Sequence, residues 1–193
     1  PLIKNLPDMT PEEYLAYVAR VSNPSNQENL ETTSKLLNYC IRKKHWSVFE
    51  MVTVCFQIDT TRVIGRQILR HASNKFQEFS GRYANPTEEL EFVLTEARLQ
   101  DNKNRQSSID ISEDSDVYKE WNRLQTEVIN LAKKNYSLAV KMGIAKEQAR
   151  SVLPEGNTMT RMYMNGTLRS FIHYCDIRED AATQKEHRIV AEK

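Results

Sequence analysis

Glycine is scarce, five residues in 193, and none falls in a GxGxxG or GxxxxGK[ST] arrangement, so the chain carries neither a dinucleotide fingerprint nor a phosphate loop. Any nucleotide must therefore be held by side chains. Cysteine is scarcer still. Cys40, Cys55 and Cys175 are odd in number, widely spaced and without a CxxC or Cys/His cluster. That argues against a disulfide framework or a zinc site, and for reduced thiols in a cytoplasmic setting. No run approaches the ~20 apolar residues of a membrane span, and "PLIKNLPDMT" lacks the apolar stretch of a signal peptide. Charge of one sign is absent as well. Lys and Arg number 27 against 26 Asp and Glu, so there is no one-sided basic field of the kind that binds nucleic acid. The expected partners thus exclude nucleic acid, membrane and metal. What is present is a 39% hydrophobic fraction, enough for one domain over residues 1–193 with a polar excursion near 100–117.

The patterning is mixed α/β. "MTPEEYLAYVARVS" predicts a helix capped by Thr10, with Pro11 in its first turn and Leu15, Val18 and Val21 on one face. "ENLETTSKLLNYCIRKKHW" predicts a second, striped by Leu30, Leu37, Cys40 and Ile41. "MVTVCFQIDT" alternates as a half-buried strand with Val52, Val54, Phe56 and Ile58 inward. "TTRVIGRQILRHA" returns to helical spacing with Val63, Ile64 and Ile68 inward. An extended stretch follows from "FQEFSGRYA", with a further strand in "ELEFVLTEARL" and a loop over residues 100–117. The longest helix should then present Val117, Trp121, Leu124, Val128, Leu131 and Tyr136 along one face and stop at Gly143. A short helical piece in "AKEQARSVLP", a strand in "NTMTRMYMN" and a final helix pair split near "DIREDAATQKEH" complete the order.

One stretch concentrates chemistry. "LRHASNKFQEFSGRY" packs Arg70, His71, Lys75, Glu78 and Arg82 among three aromatic rings, and burying such groups unpaired costs several kcal/mol each, roughly 1 to 5. Arginine suits phosphate, because its planar fork bonds bidentately and stays charged. Arg62, Arg66 and Arg150 are further candidates, although arginines four apart on a helix are more often a solvated face. Arg70 beside His71 favours a neutral, hydrogen-bonding ring. "HWSVFE" and "LRSFIHYCDIR" add His, hydroxyl and carboxylate groups, each of which alone reads as a helix-to-strand connection or a solvent-facing stripe. Cys175 has no sequence-local base and reads as a core cysteine.

Together these pieces resemble the flavin-dependent thymidylate synthases. "RHASNKFQEFSGRY" is similar to that family's R-H-R, seven residues, S signature with its following G-R-Y. "VARVS" resembles "AARVS", "KHWSVFEM" resembles "GHxSxFEH", and "ARSVLP", "MNGTLRSFIHY" and "IREDAATQKEH" follow in the family's order. The resemblance implies a methyltransferase that makes dTMP from dUMP with methylenetetrahydrofolate as carbon donor and NADPH as reductant through bound FAD. It implies the family's own α/β (α+β) fold, an antiparallel-rich sheet packed with long helices, in a homotetramer with sites between subunits. A cytoplasmic location follows, or a host's cytoplasm for a viral enzyme. Carried over by residue, FAD would contact Ser22, Ser47, Glu50, Arg70, His71, Arg169 and His173. The substrate dUMP would contact Gln67, Glu78, Ser80, Gly81, Arg82, Arg150 and Arg178. Arg178 and Ser80 are the catalytic candidates, Arg178 for charge on the pyrimidine and Ser80 as a hydrogen-bonding group rather than a nucleophile.

The signature's third residue, arginine in the family, is Ala72 here, and Lys75 cannot reproduce the lost fork. Drift with compensation, an engineered substitution and a changed preference are the competing explanations. Ser47 and Ala182 also depart from the frequent threonine and histidine. The alternative functions are a relative that alkylates or hydroxymethylates dCMP or dUMP, and a nucleotide-binding protein impaired by Ala72.

Overall fold

A computed structural model describes residues 8–193. Two compact units divide the chain, one holding the sequence up to Cys55 with Asn165–His173, the other Phe56–Met164 with Tyr174–Lys193.

The first unit is helical. Helix α1, Pro11–Ala19, starts where the sequence predicts: the Glu13 amide donates to Thr10 Oγ1 (3.3 Å) and the Thr10 amide to Glu13 Oε2 (2.9 Å), a reciprocal box that satisfies two otherwise orphaned donors. Helix α2, Thr33–Arg42, is shorter than the stripe in the sequence, so Leu30 lies outside it and Ile41 is exposed. Val21 also falls beyond its helix and faces solvent. Leu15, Cys40 and Phe49 form the core, with Leu37, Trp46, Leu168 and Ile172 packed against them.

The second unit carries most of a three-stranded sheet ordered β1-β5-β2, from strands β1 (Thr53–Thr61), β2 (Lys75–Glu78) and β5 (Met159–Thr167). Arg161 pairs with Asp59 and Tyr163 with Gln57, an opposite running order that makes β1 and β5 antiparallel. Strand β5 alternates strictly, burying Thr160, Met162 and Met164. Helix α3, Arg62–Ile68, lies over that face through Ile64, Gly65 and Ile68, while Val63 is exposed rather than inward. A Cβ on Gly65 would sit 3.3 Å from Thr160 Cγ2, so glycine sets the approach of helix to strand. Phe56, expected inward on β1, is exposed.

"ELEFVLTEARL" is only partly strand. Its first residue, Glu89, ends a short helix, α4 (Pro86–Glu89), Phe92 makes a single bridge to Thr158, and β3 (Arg98–Gln100) pairs antiparallel with β4 (Ser108–Asp110). The region expected as a loop therefore includes a two-stranded ribbon with Leu99 opposite Ile109. Helix α5, Asp116–Lys141, is capped by Ser115 and stops at Gly143, which takes φ +84°. It is the one long helix among the described residues. Its buried residues are Gln125, Ile129, Ala132 and Tyr136, not the predicted set, of which only Tyr136 points inward. Helices α6 (Lys146–Ala149), α7 (Leu168–Arg178) and α8 (Lys185–Glu192) fall where expected.

Candidate active site

Residues 69–83 leave the end of α3, turn, and become β2. The turn is closed by the His71 amide on the Ile68 carbonyl and the Asn74 amide on the His71 carbonyl, both 3.0 Å. Arg70 and Ala72 are exposed there, and His71 is half-buried. The His71 ring stands edge-on to Tyr174, centroids 4.7 Å apart at 77°. Arg178, the last residue of α7, donates from Nε to His71 Nε2 at 2.8 Å. A nitrogen that accepts is unprotonated, so His71 carries its ring proton on Nδ1.

Behind this pair lies His187 of α8, fully buried, with Nε2 3.0 Å from the Tyr174 hydroxyl and Nδ1 3.2 Å from Gln67 Oε1. Burial, and then the Arg178 charge, push the His187 pKa down to about 4. Burial pushes the Tyr174 hydroxyl up to about 12, with Cys175 adding and Arg178 opposing. Gln67, the expected substrate contact, donates from Nε2 to Gln184 Oε1 at 2.7 Å.

The remaining expected dUMP residues stand along β2 and its turn. Glu78 accepts from Thr160 Oγ1 at 2.9 Å and lies 3.8 Å from Arg62. Ser80 Oγ accepts the Arg82 amide at 3.4 Å, and Arg82 itself is exposed, 3.5 Å from Glu147. Gly81 is buried: a Cβ there would meet Pro86 Cγ at 3.0 Å and Arg150 Cδ at 3.6 Å. Gly81 and Arg150 line a cleft of about 380 Å³ together with Arg62, Arg66, Glu147 and Glu155. Three guanidinium groups against two carboxylates leave it with a net positive charge, suited to an anionic group.

The other group of expected residues lies in the first unit. Ser47 and Glu50 sit on the 3₁₀ turn Trp46–Glu50, and Glu50 pairs with Arg169 of α7. His173 is one turn further along α7, and Ser22 follows the end of α1; all are exposed. His45 packs edge-on against Tyr39 at 5.8 Å. Lys44, where the resembling motif has glycine, is the one non-glycine residue of positive φ among those described, at 57°.

The sequence matches the family described as thymidylate synthase complementing protein over residues 2–193. The chain belongs to this family. Members at high identity include a flavin-dependent thymidylate synthase of Synechocystis sp., 53% identical over 95% of this chain and 82% of its own length. A probable flavin-dependent thymidylate synthase of Paramecium bursaria Chlorella virus 1 is 48% identical over 92% and 81%. Among solved structures, a UMP/dUMP methylase, PolB, from Streptomyces cacaoi bound with 5-Br dUMP superposes with a TM-score of 0.74 at 25% identity, covering 94% of this chain and 82% of that one.

For this thymidylate synthase family member, the sequence reading left out the groups that hold the expected contacts from behind. Tyr174, Gln184, His187, Glu147 and Glu155 all contact or flank expected residues. The signal for His187 was the closing histidine of "QKEH", an isolated imidazole in a charged stretch whose burial no periodicity announces. Cys175, read as a core cysteine, is half-buried rather than in the core: burial raises its pKa, and its thiol contacts the Ala191 carbonyl at 3.6 Å. Among the described residues no cluster could hold a metal ion, and no helix is long and apolar enough to cross a membrane.

Proposed function

We propose that the chain methylates dUMP to dTMP, taking the carbon from methylenetetrahydrofolate and reducing equivalents from NADPH through FAD, with the nucleotide phosphate seated in the arginine cleft beside Gly81. The observation that carries the reading is this cleft, in which Arg150 and a buried glycine, both expected dUMP contacts, meet among three guanidinium groups. Family membership supplies the reaction.

Each residue then has a task within its chemistry. Arg150 and Arg82 clamp the phosphate, and Ser80 donates to it. Ser80 Oγ meets a backbone amide in the bonds it makes, and a serine nucleophile needs a base within reach, so a hydrogen-bonding role fits. The raised Cys175 thiol is equally unsuited to attack a pyrimidine ring. Carbon 5 of uracil must instead gain nucleophilic character by electrostatic means. Arg178, its plane set by the Nε bond to His71, can stabilise negative charge developing on the ring, a contribution of roughly 3 to 4 kcal/mol per well-placed group.

The flavin residues fit their cofactor by donor type. Ser22, Ser47, Arg169 and His173 are exposed hydroxyl, guanidinium and imidazole groups, the set that binds phosphate and ribose where no glycine-rich loop exists. Arg70 and His71 extend the same chemistry. FAD, when bound, supplies the hydride. The homotetramer with shared sites implied by the resemblance is supported by the apolar outer face of α5, where Trp121, Leu124, Val128 and Leu131 are exposed.

The deciding measurement is the visible spectrum of the purified protein with NADPH oxidation followed with and without dUMP. A yellow protein whose oxidation of NADPH responds to dUMP, with dTMP formed, is expected. A flavin turnover indifferent to dUMP, or product formed from dCMP alone, would overturn the assignment.

A further inference from the structure

Gln67 does not choose its own orientation. Starting from the Glu186 carboxylate, which only accepts and is held by Arg98 at 2.6 Å, Gln184 must present its amide Nε2, and does so at 2.9 Å. That leaves Gln184 Oε1 as an acceptor, filled by Gln67 Nε2 at 2.7 Å. Gln67 Oε1 is then the acceptor facing His187 Nδ1 at 3.2 Å, so the ring proton must be on Nδ1. His187 Nε2, left bare, accepts the Tyr174 hydroxyl at 3.0 Å. Reversing the whole line would set Gln184 Oε1 against the Glu186 carboxylate, and flipping Gln67 alone would set its Oε1 against Gln184 Oε1 and its amide against His187 Nδ1–H. Glu186 sets the sense of this line from one end and His187, its Nε2 taken by the Tyr174 hydroxyl, holds Gln67 Oε1 at the other, and all six side chains belong to the same unit.

We infer that buried His187 is a positioning residue, locking the Gln67 carboxamide in a single orientation for the nucleotide. The inference rests on the reading of Gln67 as a dUMP contact. Gln67 is only part-buried, so one N–H and one lone pair remain for a ligand, and a flip would exchange donor for acceptor. A ligand acceptor would then meet another acceptor, and the affinity for dUMP would fall. His187 is well suited to prevent this. Its ring is wholly excluded from water and keeps a single proton, because burial and then the Arg178 charge oppose a second. Tyr174 occupies the remaining nitrogen.

The test uses the FAD-loaded enzyme and two near-isosteric variants. Asparagine can place an amide N–H where Nδ1–H stands, whereas glutamine places its carboxamide at the Nε2 position and leaves Gln67 without that donor. His187→Gln is expected to raise the dUMP KM roughly three- to tenfold, the loss of one oriented hydrogen bond, with kcat little changed. His187→Asn is expected to keep the KM near the wild-type value at a similar loss of thermal stability. An equal rise in both variants, or in neither, would mean that His187 only fills space and would overturn the inference. Nitrogen-15 spectra of histidine-labelled wild-type holoenzyme decide it even if neither variant folds: a bare Nδ1 or a charged ring at neutral pH overturns it. Gln67→Ala separates the two claims. If it leaves dUMP binding unchanged, the reading of Gln67 fails; if it weakens binding while His187→Gln does not, only the positioning role fails.

Discussion

Gly81 shows how little room the proposed phosphate site leaves. A methyl group there would press on Pro86 Cγ at 3.0 Å, and proline is too rigid to yield, so the strain would pass to Arg150. Gly81→Ala should weaken dUMP about tenfold, measured by titration of the flavin spectrum, with little effect on FAD content. Lys44 is the opposite case, a side chain where glycine would rest easier. At φ 57° a residue with a Cβ carries about 1–2 kcal/mol of strain. Lys44→Gly relieves it but adds unfolded-state entropy of about 0.4–1 kcal/mol, leaving a net gain of about 0.5–1 kcal/mol. A rise in the denaturant midpoint absent from Lys44→Ala would confirm that backbone strain is the cause. Ala72 is exposed beside Arg70 and His71, so an arginine there has room. Ala72→Arg should raise the FAD content of the purified protein; unchanged flavin occupancy would show that the departure is silent.

At the scale of elements, helix α8 is held by its buried histidine and by two ion-pair ties, Arg98 to Glu186 and Lys185 to Glu96. The histidine makes that docking sensitive to acid. Its folded pKa lies near 4, against about 6.5 in the unfolded chain, so as pH falls the unfolded state takes up a proton that the folded state refuses. The contribution is whole above pH ~6.5 and is lost as pH falls toward ~4, roughly 3 kcal/mol in all. Denaturant midpoints at pH 7 and pH 4.5 should therefore converge in His187→Asn relative to wild type; parallel profiles would refute the assignment. None of this was legible in "QKEHRIVAE", where burial of the imidazole depends on contacts with residues more than a hundred positions away. Local signals were read well where local chemistry decides: the Thr10 cap, the Gly143 stop and the strand that becomes β5. Of the ribbon, β3 was caught only by the end of a longer expected strand and β4 was missed, because three residues show no period.

For the molecule as a whole, the most informative misreading is α5. The stripe of Leu124, Val128 and Leu131 has correct helical spacing, yet the face that turns inward is Gln125, Ile129 and Ala132, one residue on and so about 100° around the helix. The inward turn is anchored by a polar group. Gln125 Oε1 accepts from the Thr95 amide and from Asn157 Nδ2, both at 2.8 Å, and its Nε2 donates to the Thr95 carbonyl at 3.0 Å. A glutamine so fully bonded outweighs one more leucine, and it leaves the greasier face outside, with Val128 50% and Leu131 58% exposed. Sequence periodicity finds such a stripe but cannot tell a core from an interface, because both exclude water by the same apolar contact. If this face joins subunits, Val128→Glu with Leu131→Glu should reduce the assembly seen by sedimentation. Activity should fall with it if, as the resemblance implies, the sites are shared between subunits, while the far-ultraviolet dichroism stays helical. A double variant that kept the wild-type mass would place the interface elsewhere and leave the α5 stripe without a partner.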